Sequence, residues 1–452
     1  MRLAVLSILS LFGAIHAKPN VARQVSLAPR SLEAVSIPKA DFAFPFTKKA
    51  PRGKARKNAP GASLRGNKSR GNTASVAGTE FDQVYLTNIT VGGQNFSVIV
   101  DSGSSDTWII QKGYSCFNLS GSPVSADTCA FGTTGFDPSE SEMFELLPNA
   151  SCYIRYGSGV YLLGPAGFET VTIGGMTVTH QEIGVPTDAA FLGDGFSSGV
   201  LGLAFPRLTN IYNSTTVHSS ATHVPYTPLF LSAVQQNQVE NPFFSIAVNR
   251  GTFEEQVNDH FDANLGFVAF GGIAPVPVLK TAVTVPVQGY VFSGGRAVPA
   301  NSTDTDPIYL WYTVHVDSYV FPGSSQVVTA SNNTFFDTGS TMNWVPTDVA
   351  AAYAAQFQPP ATLDEDSGMY LVDCNATVPP FSVILGGKEF TIDARDQILP
   401  SGNAITCFTG TQDGGLAVTG NALTLGDVFL HNVVATFNPV AAEITITKRA
   451  AY

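Results

Sequence analysis

From residue 81 onward the chain is dominated by short stretches in which apolar and polar positions alternate. Residues 81–91 (FDQVYLTNITV) alternate, Gly92-Gly93 interrupts, and residues 96–101 return as an apolar, β-branched run. Period two places one face on a core, so this segment is predicted as a β-hairpin. Its second arm ends abruptly: Val98-Ile99-Val100 runs into Asp101, and Ser102-Gly103-Ser104 turns at once. The pattern returns downstream, where Thr334-Phe335-Phe336 runs into Asp337, followed by Thr338-Gly339-Ser340-Thr341. Each copy is followed by an apolar-Gly stretch, GVLGLA at 199–204 and LTLGDVF at 423–429. Gly202 lies 101 residues after Asp101 and Gly426 lies 89 after Asp337. Similar spacing reads as a diverged internal duplication and predicts two lobes about a pseudo-twofold axis.

Between the copies, Leu229, Phe230 and Val234 keep a near-helical period before an extended stretch at 243–248. Residues 250–264 are polar and read as a connection between lobes. The second lobe opens at Gly266, residues 288–309 look like a surface insertion, and residues 309–320 return to strand.

Composition supports a β protein. Only 13% of residues are charged, and Val- and Thr-rich alternation with 42 glycines favours strands. At 452 residues there is room for both lobes and a large core. Residues 1–17 carry one early Arg, an apolar stretch and a final Ala, the pattern of a secretory signal peptide. No other apolar run of about twenty residues occurs, and the C-terminal residues are not an apolar anchor signal, so no membrane anchor is expected.

Charge divides the remainder. Residues 18–70 hold 13 Lys/Arg and 2 acids, whereas the chain from 71 onward holds 10 Lys/Arg and 33 acids. A basic arm can bind nucleic acid. In a secreted chain a removable propeptide is the better reading, since a basic segment can cover a carboxylate-lined cleft and release it in acid. The expected organisation is a signal peptide at 1–17, a propeptide at 18–77 with the mature start between 71 and 77, and a first lobe at 78–250. A connection at 251–265, a second lobe at 266–447 and a tail at 448–452 complete it. Lys448-Arg449 is either a dibasic processing site or part of that tail. An acidic body repels itself at neutral pH and suits work in acid.

Five cysteines are present. Cys116 and Cys129 are close enough for a small loop, Cys374 and Cys407 lie 33 apart, and Cys152 is left over. There is no Cys-x-x-Cys and the histidines do not cluster with cysteines, so no metal site is expected. Sequons at Asn88, Asn95, Asn118, Asn149, Asn213, Asn301, Asn332 and Asn375 predict glycosylation, with Asn332 close to the Asp337 strand.

A strand ending in Asp-Ser/Thr-Gly puts a carboxylate at the lip of a buried sheet. Gly103 and Gly339 allow close backbone approach, and the hydroxyls of Ser102 and Thr338 can bind backbone and stiffen the turns. If the loops meet, Asp101 and Asp337 cannot both ionise easily and share a proton over a wide acidic range. One then acts as base on a water while the other donates to a carbonyl, without a cofactor and without fixed roles. A lone Asp-Ser-Gly-Ser is an ordinary turn. Asp337-Thr-Gly-Ser-Thr also bears a slight likeness to a phosphorylated-aspartate loop, but Thr338 stands where that loop has Lys. The repetition is what gives the pair its weight.

Together these motifs resemble the two active-site loops of pepsin-like aspartic proteases, secreted fungal type, and the resemblance covers about 80–447. It implies a mostly β, bilobal fold with a central cleft, catalysis by Asp101 and Asp337, Ser104 and Ser340 bonding around the dyad, and Ser102 and Thr338 bracing the loops. It implies that residues 154–159 (IRYGSG) are a flap with Tyr156 and Gly157 at its tip, and that Trp108, seven residues after Asp101, props that tyrosine. It implies the pairs Cys116–Cys129 and Cys374–Cys407. Many fungal members carry Asp at the position of Ser158, which helps them accept Lys at P1; the Ser here implies apolar residues at P1. Cys152 has no counterpart pairing, and the first loop has Ser102 where many members have Thr. The implied function is a secreted or vacuolar, monomeric endopeptidase made as a zymogen, acting on proteins or peptides at acid pH. A pepsin-fold protein that binds without cleaving is the alternative; such members usually lose an Asp or the flap tyrosine, and this chain keeps all three. A metallohydrolase or serine hydrolase is disfavoured by the absence of His-Glu-x-x-His and Gly-x-Ser-x-Gly.

Overall fold

A computed structural model describes residues 73–75, 77–79 and 84–452, apart from 133–134, 158, 192, 216–221, 252–264, 294–295, 302–303, 305, 325–332, 366, 401–405 and 416–422. The expected signal peptide, most of the expected propeptide and most of the expected connection lie outside the described residues, as do Ser158 and Asn332.

The first half is built on one large sheet. Val84–Val91 and Gln94–Asp101 form the predicted hairpin, with Gly92 and Gly93 at φ +54° and +78° in the turn. Glycine reaches such angles without a Cβ clash. Gln94–Asp101 then pairs in parallel with Gly199–Gly202, which pairs antiparallel with Thr107–Ile109. The long strands Glu145–Arg155 and Tyr161–Ile173 form a second hairpin.

The second half repeats the central arrangement. Asn333–Phe336 pairs in parallel with Thr424–Leu425, which pairs antiparallel with Asn343–Val345. Both apolar-Gly stretches thus fill the same place beside an aspartate strand. Leu229–Gln235 is helical as its period predicts, and Leu229, Phe230 and Ala233 are buried on the core face. The extended stretch that follows is Phe244–Val248.

A six-stranded sheet joins the halves, in the order Thr73–Ser75, Gly266–Phe270, Phe244–Val248, Val433–Asn438, Glu443–Arg449, Val278–Pro286. Phe244 and Phe437 stack at 5.0 Å, and Phe437 meets Tyr312 at 4.7 Å and Phe336 at 6.4 Å. This aromatic core lies directly behind the strand that carries Asp337. The expected tail begins inside a strand. Arg449 is buried and donates to Val248 O and Asn249 Oδ1. The Tyr452 ring lies between the Arg250 and Arg449 guanidiniums, at 4.4 and 4.0 Å. Cutting at Lys448-Arg449 would therefore require pulling a strand end from the sheet. Among the described residues no helix is long and apolar enough to cross a membrane.

Candidate active site

Asp101 ends its strand opposite Gly202, and Leu203 N–H donates to Asp101 O at 2.8 Å. Asp337 N–H donates to Leu425 O at 3.2 Å, so this aspartate too is tied to its apolar-Gly stretch through the backbone. The two loops meet face to face. A Cβ on Gly103 would fall 2.5 Å from Asp337 Oδ1, so only glycine permits this approach.

The hydroxyls of Ser102 and Thr338 do not brace their own turns; they cross to the other loop. Ser102 Oγ donates to Phe336 O (3.1 Å) and accepts from Thr338 N–H (3.0 Å). Thr338 Oγ1 donates to Val100 O (2.8 Å) and accepts from Ser102 N–H (3.0 Å). Each hydroxyl uses its one proton and one lone pair, so four buried backbone groups are satisfied by two side chains.

Within each loop a glycine amide holds the carboxylate: Gly103 N–H to Asp101 Oδ1 and Gly339 N–H to Asp337 Oδ1, both at 2.8 Å. Ser104 Oγ donates to Asp101 Oδ2, as expected. Ser340 departs from the expected symmetry: its hydroxyl accepts from Trp344 Nε1 (3.3 Å) and donates to Met342 O (3.4 Å) instead of reaching Asp337. The two carboxyls contact each other, and Asp337 Oδ2 takes no donor from any other described group. Both aspartates are fully buried. Burial raises Asp101 despite the bonds from Ser104 and Gly103, and burial followed by the charge of Asp101 raises Asp337 well above the usual carboxylate range. A pair held this way keeps its last proton well above the usual carboxylate range.

Tyr156 lies at the tip of the second hairpin, where Tyr156 N–H donates to Val160 O and Gly159 N–H to Tyr156 O, both at 2.9 Å. Trp108 Nε1 donates to Tyr156 OH at 2.8 Å, the contact expected of a propped flap tyrosine. Trp108 also meets Phe131 and Phe191 edge-on, so the ring that bonds Tyr156 is also a core ring. Gly157 sits in the turn. The structure joins Cys116 to Cys129 and Cys374 to Cys407. Cys152 is a buried thiol in the strand Glu145–Arg155, donating to Pro165 O, and burial pushes it up to about 12, which keeps it unreactive. Asn88, Asn95, Asn118, Asn149, Asn213, Asn301 and Asn375 are all exposed.

Three features escaped sequence reasoning. Trp344 follows Asp337 by seven residues as Trp108 follows Asp101, a spacing that was readable. Asp106 is buried and accepts from Asn210 N–H, Asn210 Nδ2 and Tyr226 OH; burial pushes it up to about 6 against those bonds. Its partners lie over a hundred residues away, with no local signal. Asp427 stands where the first half has Leu203. It is fully buried, neither oxygen has a hydrogen bond from the described residues, and it is raised by burial and then by the charge of Asp337.

The family model described as eukaryotic aspartyl protease matches residues 84–449. The chain is 33% identical over 373 residues to an Aspergillus fumigatus protein named "Probable aspartic-type endopeptidase", covering 81% of this chain and 79% of the relative. It is 27% identical over 380 residues to rhizopuspepsin-2 of Rhizopus niveus, covering 83% and 81% of the two chains. Among solved structures, an aspartic proteinase from Irpex lacteus superposes with a TM-score of 0.61 at 20% identity, covering 84% of this chain and 97% of its own, which establishes the shared bilobal, strand-rich fold.

Proposed function

The chain belongs to the eukaryotic aspartyl protease family and is an aspartic-type endopeptidase; we propose that Asp101 and Asp337 are its catalytic dyad and that it hydrolyses proteins at acid pH. The single observation that carries this reading is the meeting of two buried carboxyls within a reciprocal Ser102–Thr338 brace. The ionised member takes a proton from water as the water oxygen attacks the peptide carbonyl carbon. The protonated member gives its proton to the carbonyl oxygen. The resulting diol collapses as the protonated carboxyl gives its proton to the amide nitrogen, the other carboxylate takes a proton from a diol hydroxyl and the C–N bond breaks, which leaves the pair with one proton. The flap, with Tyr156 held by Trp108, closes over the peptide and excludes water. Ser rather than Asp at position 158 of the sequence supports a preference for apolar P1 residues.

The same reading includes secretion or vacuolar delivery as a glycosylated, monomeric zymogen. Residues 1–17 direct it, the basic residues 18–70 cover the acidic body, and exposed sequons carry the glycans. Thr73–Ser75 already pairs with Gly266–Phe270, which supports a mature start at or before Thr73.

The deciding experiment digests denatured haemoglobin or casein from pH 3 to 7 with acid-matured protein, with pepstatin and with Asp101→Asn. Acid activity abolished by both is the expected result. Folded, matured protein without activity at any pH would overturn the reading.

A further inference from the structure

The insertion at 288–309 is more than surface. It forms a two-stranded hairpin, Tyr290–Ser293 with Arg296–Pro299, that among the described residues joins no other sheet. Its base is fixed on the second half: Tyr290 exchanges backbone bonds with Ile308, its hydroxyl bonds Thr313 Oγ1 at 3.2 Å, and its ring meets Trp311 edge-on at 6.3 Å. Trp311 in turn lies 6.1 Å from Phe335, two residues before Asp337. The outer arm reaches the first half, where the guanidinium of Arg207 lies over the Phe292 ring at 5.4 Å. Arg207 belongs to the turn Pro206–Leu208, just beyond the Leu203 that bonds Asp101. Beneath the hairpin the halves already touch, with Tyr312 OH donating to Leu203 O at 3.0 Å and Phe205 against Tyr309 at 5.4 Å.

Phe292 is 56% exposed although it sits at this seam. An exposed phenylalanine beside an exposed arginine gains little for folding, since such cation–π contacts are weak in water. An apolar side chain of a bound peptide would cover it and gain a contact.

We propose that this hairpin is a lip of the substrate cleft that spans the two lobes. Phe292, steadied by Arg207, forms an outer subsite for an apolar side chain several positions from the scissile bond. The proposal rests on the dyad reading above. Extended peptides gain binding from the lip, whereas peptides too short to reach it do not. Binding energy from such remote contacts appears in kcat/KM for long substrates alone.

The test compares a short peptide spanning about four residues around the cleavage site with one of about twelve, and with a series of the longer peptide in which each outer residue is replaced in turn by Gly. Phe292→Ser and Arg207→Ala are used because both positions are exposed. Phe292→Ser is expected to lower kcat/KM on the long peptide by roughly tenfold, chiefly through KM, and to leave the short peptide within about twofold. One outer Gly replacement should cost wild type the same factor and the variant nothing. Arg207→Ala should give a smaller loss that is not additive with Phe292→Ser. Equal effects on short and long peptides, or no effect on either, would overturn the lip while leaving pepstatin-sensitive wild-type activity intact. Wild type inactive on every peptide would instead overturn the dyad reading and this proposal with it.

Discussion

At the scale of single residues, the dyad is held by hydroxyls whose removal leaves backbone groups stranded. Thr338→Ala deprives Val100 O of its donor and Ser102 N–H of its acceptor, both in the buried interior. An unsatisfied buried polar group costs about 1–3 kcal/mol. The expected loss is therefore about 2–4 kcal/mol, read from urea unfolding midpoints, with a fall in kcat as the loops part. Thr338→Ser keeps the hydroxyl and should recover most of both. If Ser and Ala destabilise equally, the methyl group and not the cross-loop bonding is what matters. Asp101 and Asp337 themselves were legible from sequence because the repeat marks them. The brace was only half legible: the hydroxyls were expected to act, but a turn read alone offers its own backbone as partner. The crossing appears only when two loops over two hundred residues apart are brought together.

At the scale of elements, the flap depends on a contact between a hairpin tip and a strand of the Asp101 loop. Trp108→Phe retains a buried ring but loses the bond to Tyr156 OH, as does Tyr156→Phe. Each should lower kcat/KM by roughly tenfold, the worth of about one hydrogen bond, and the double variant should be no worse than either alone. Additive losses would show that the two side chains act independently. Strands, hairpins and the two disulfide pairs followed from alternation, glycine turns and the family resemblance. The six-stranded sheet did not, because its members come from three distant stretches, and no periodicity tells Glu443–Arg449 that one of its neighbours is Val278–Pro286. The tail expected at 448–452 fails for a related reason. Lys448-Arg449 reads as a processing signal in isolation, but the sheet buries Arg449 and gives its guanidinium two acceptors.

At the scale of the whole molecule, buried carboxyls set opposite limits on stability. Asp106 is pushed up to about 6 by burial from an ordinary 3.8, so the folded state holds a proton that the unfolded chain has lost. Its contribution is present in full below about pH 4 and is lost as pH rises toward 6, a change of about 3 kcal/mol. Glu182, pushed up to about 7 by burial and then by Asp106, and the raised Asp427 act in the same direction. Asp396 acts oppositely. Burial pushes it up, but His431 and a bidentate Arg250 (2.7 and 2.9 Å) outweigh that and hold it down to about 2. Its contribution is present above about pH 4 and is lost as pH falls toward 2. Unfolding free energy measured across pH 2 to 7 should thus peak near about pH 4 and fall on both sides. Asp106→Asn should flatten the neutral side by about 3 kcal/mol, whatever it does to absolute stability. Asp396→Asn should cost about 3–5 kcal/mol at pH 4 because it leaves Arg250 buried without its carboxylate, and should erase the acid-side decline. A profile that rises steadily to pH 7 would mean that the buried carboxyls of the first half do not set the stability on the neutral side. The two variants then separate the causes, since Asp106 is enclosed within the first half while Asp396 ties Arg250, at the end of the first, to His431 in the second.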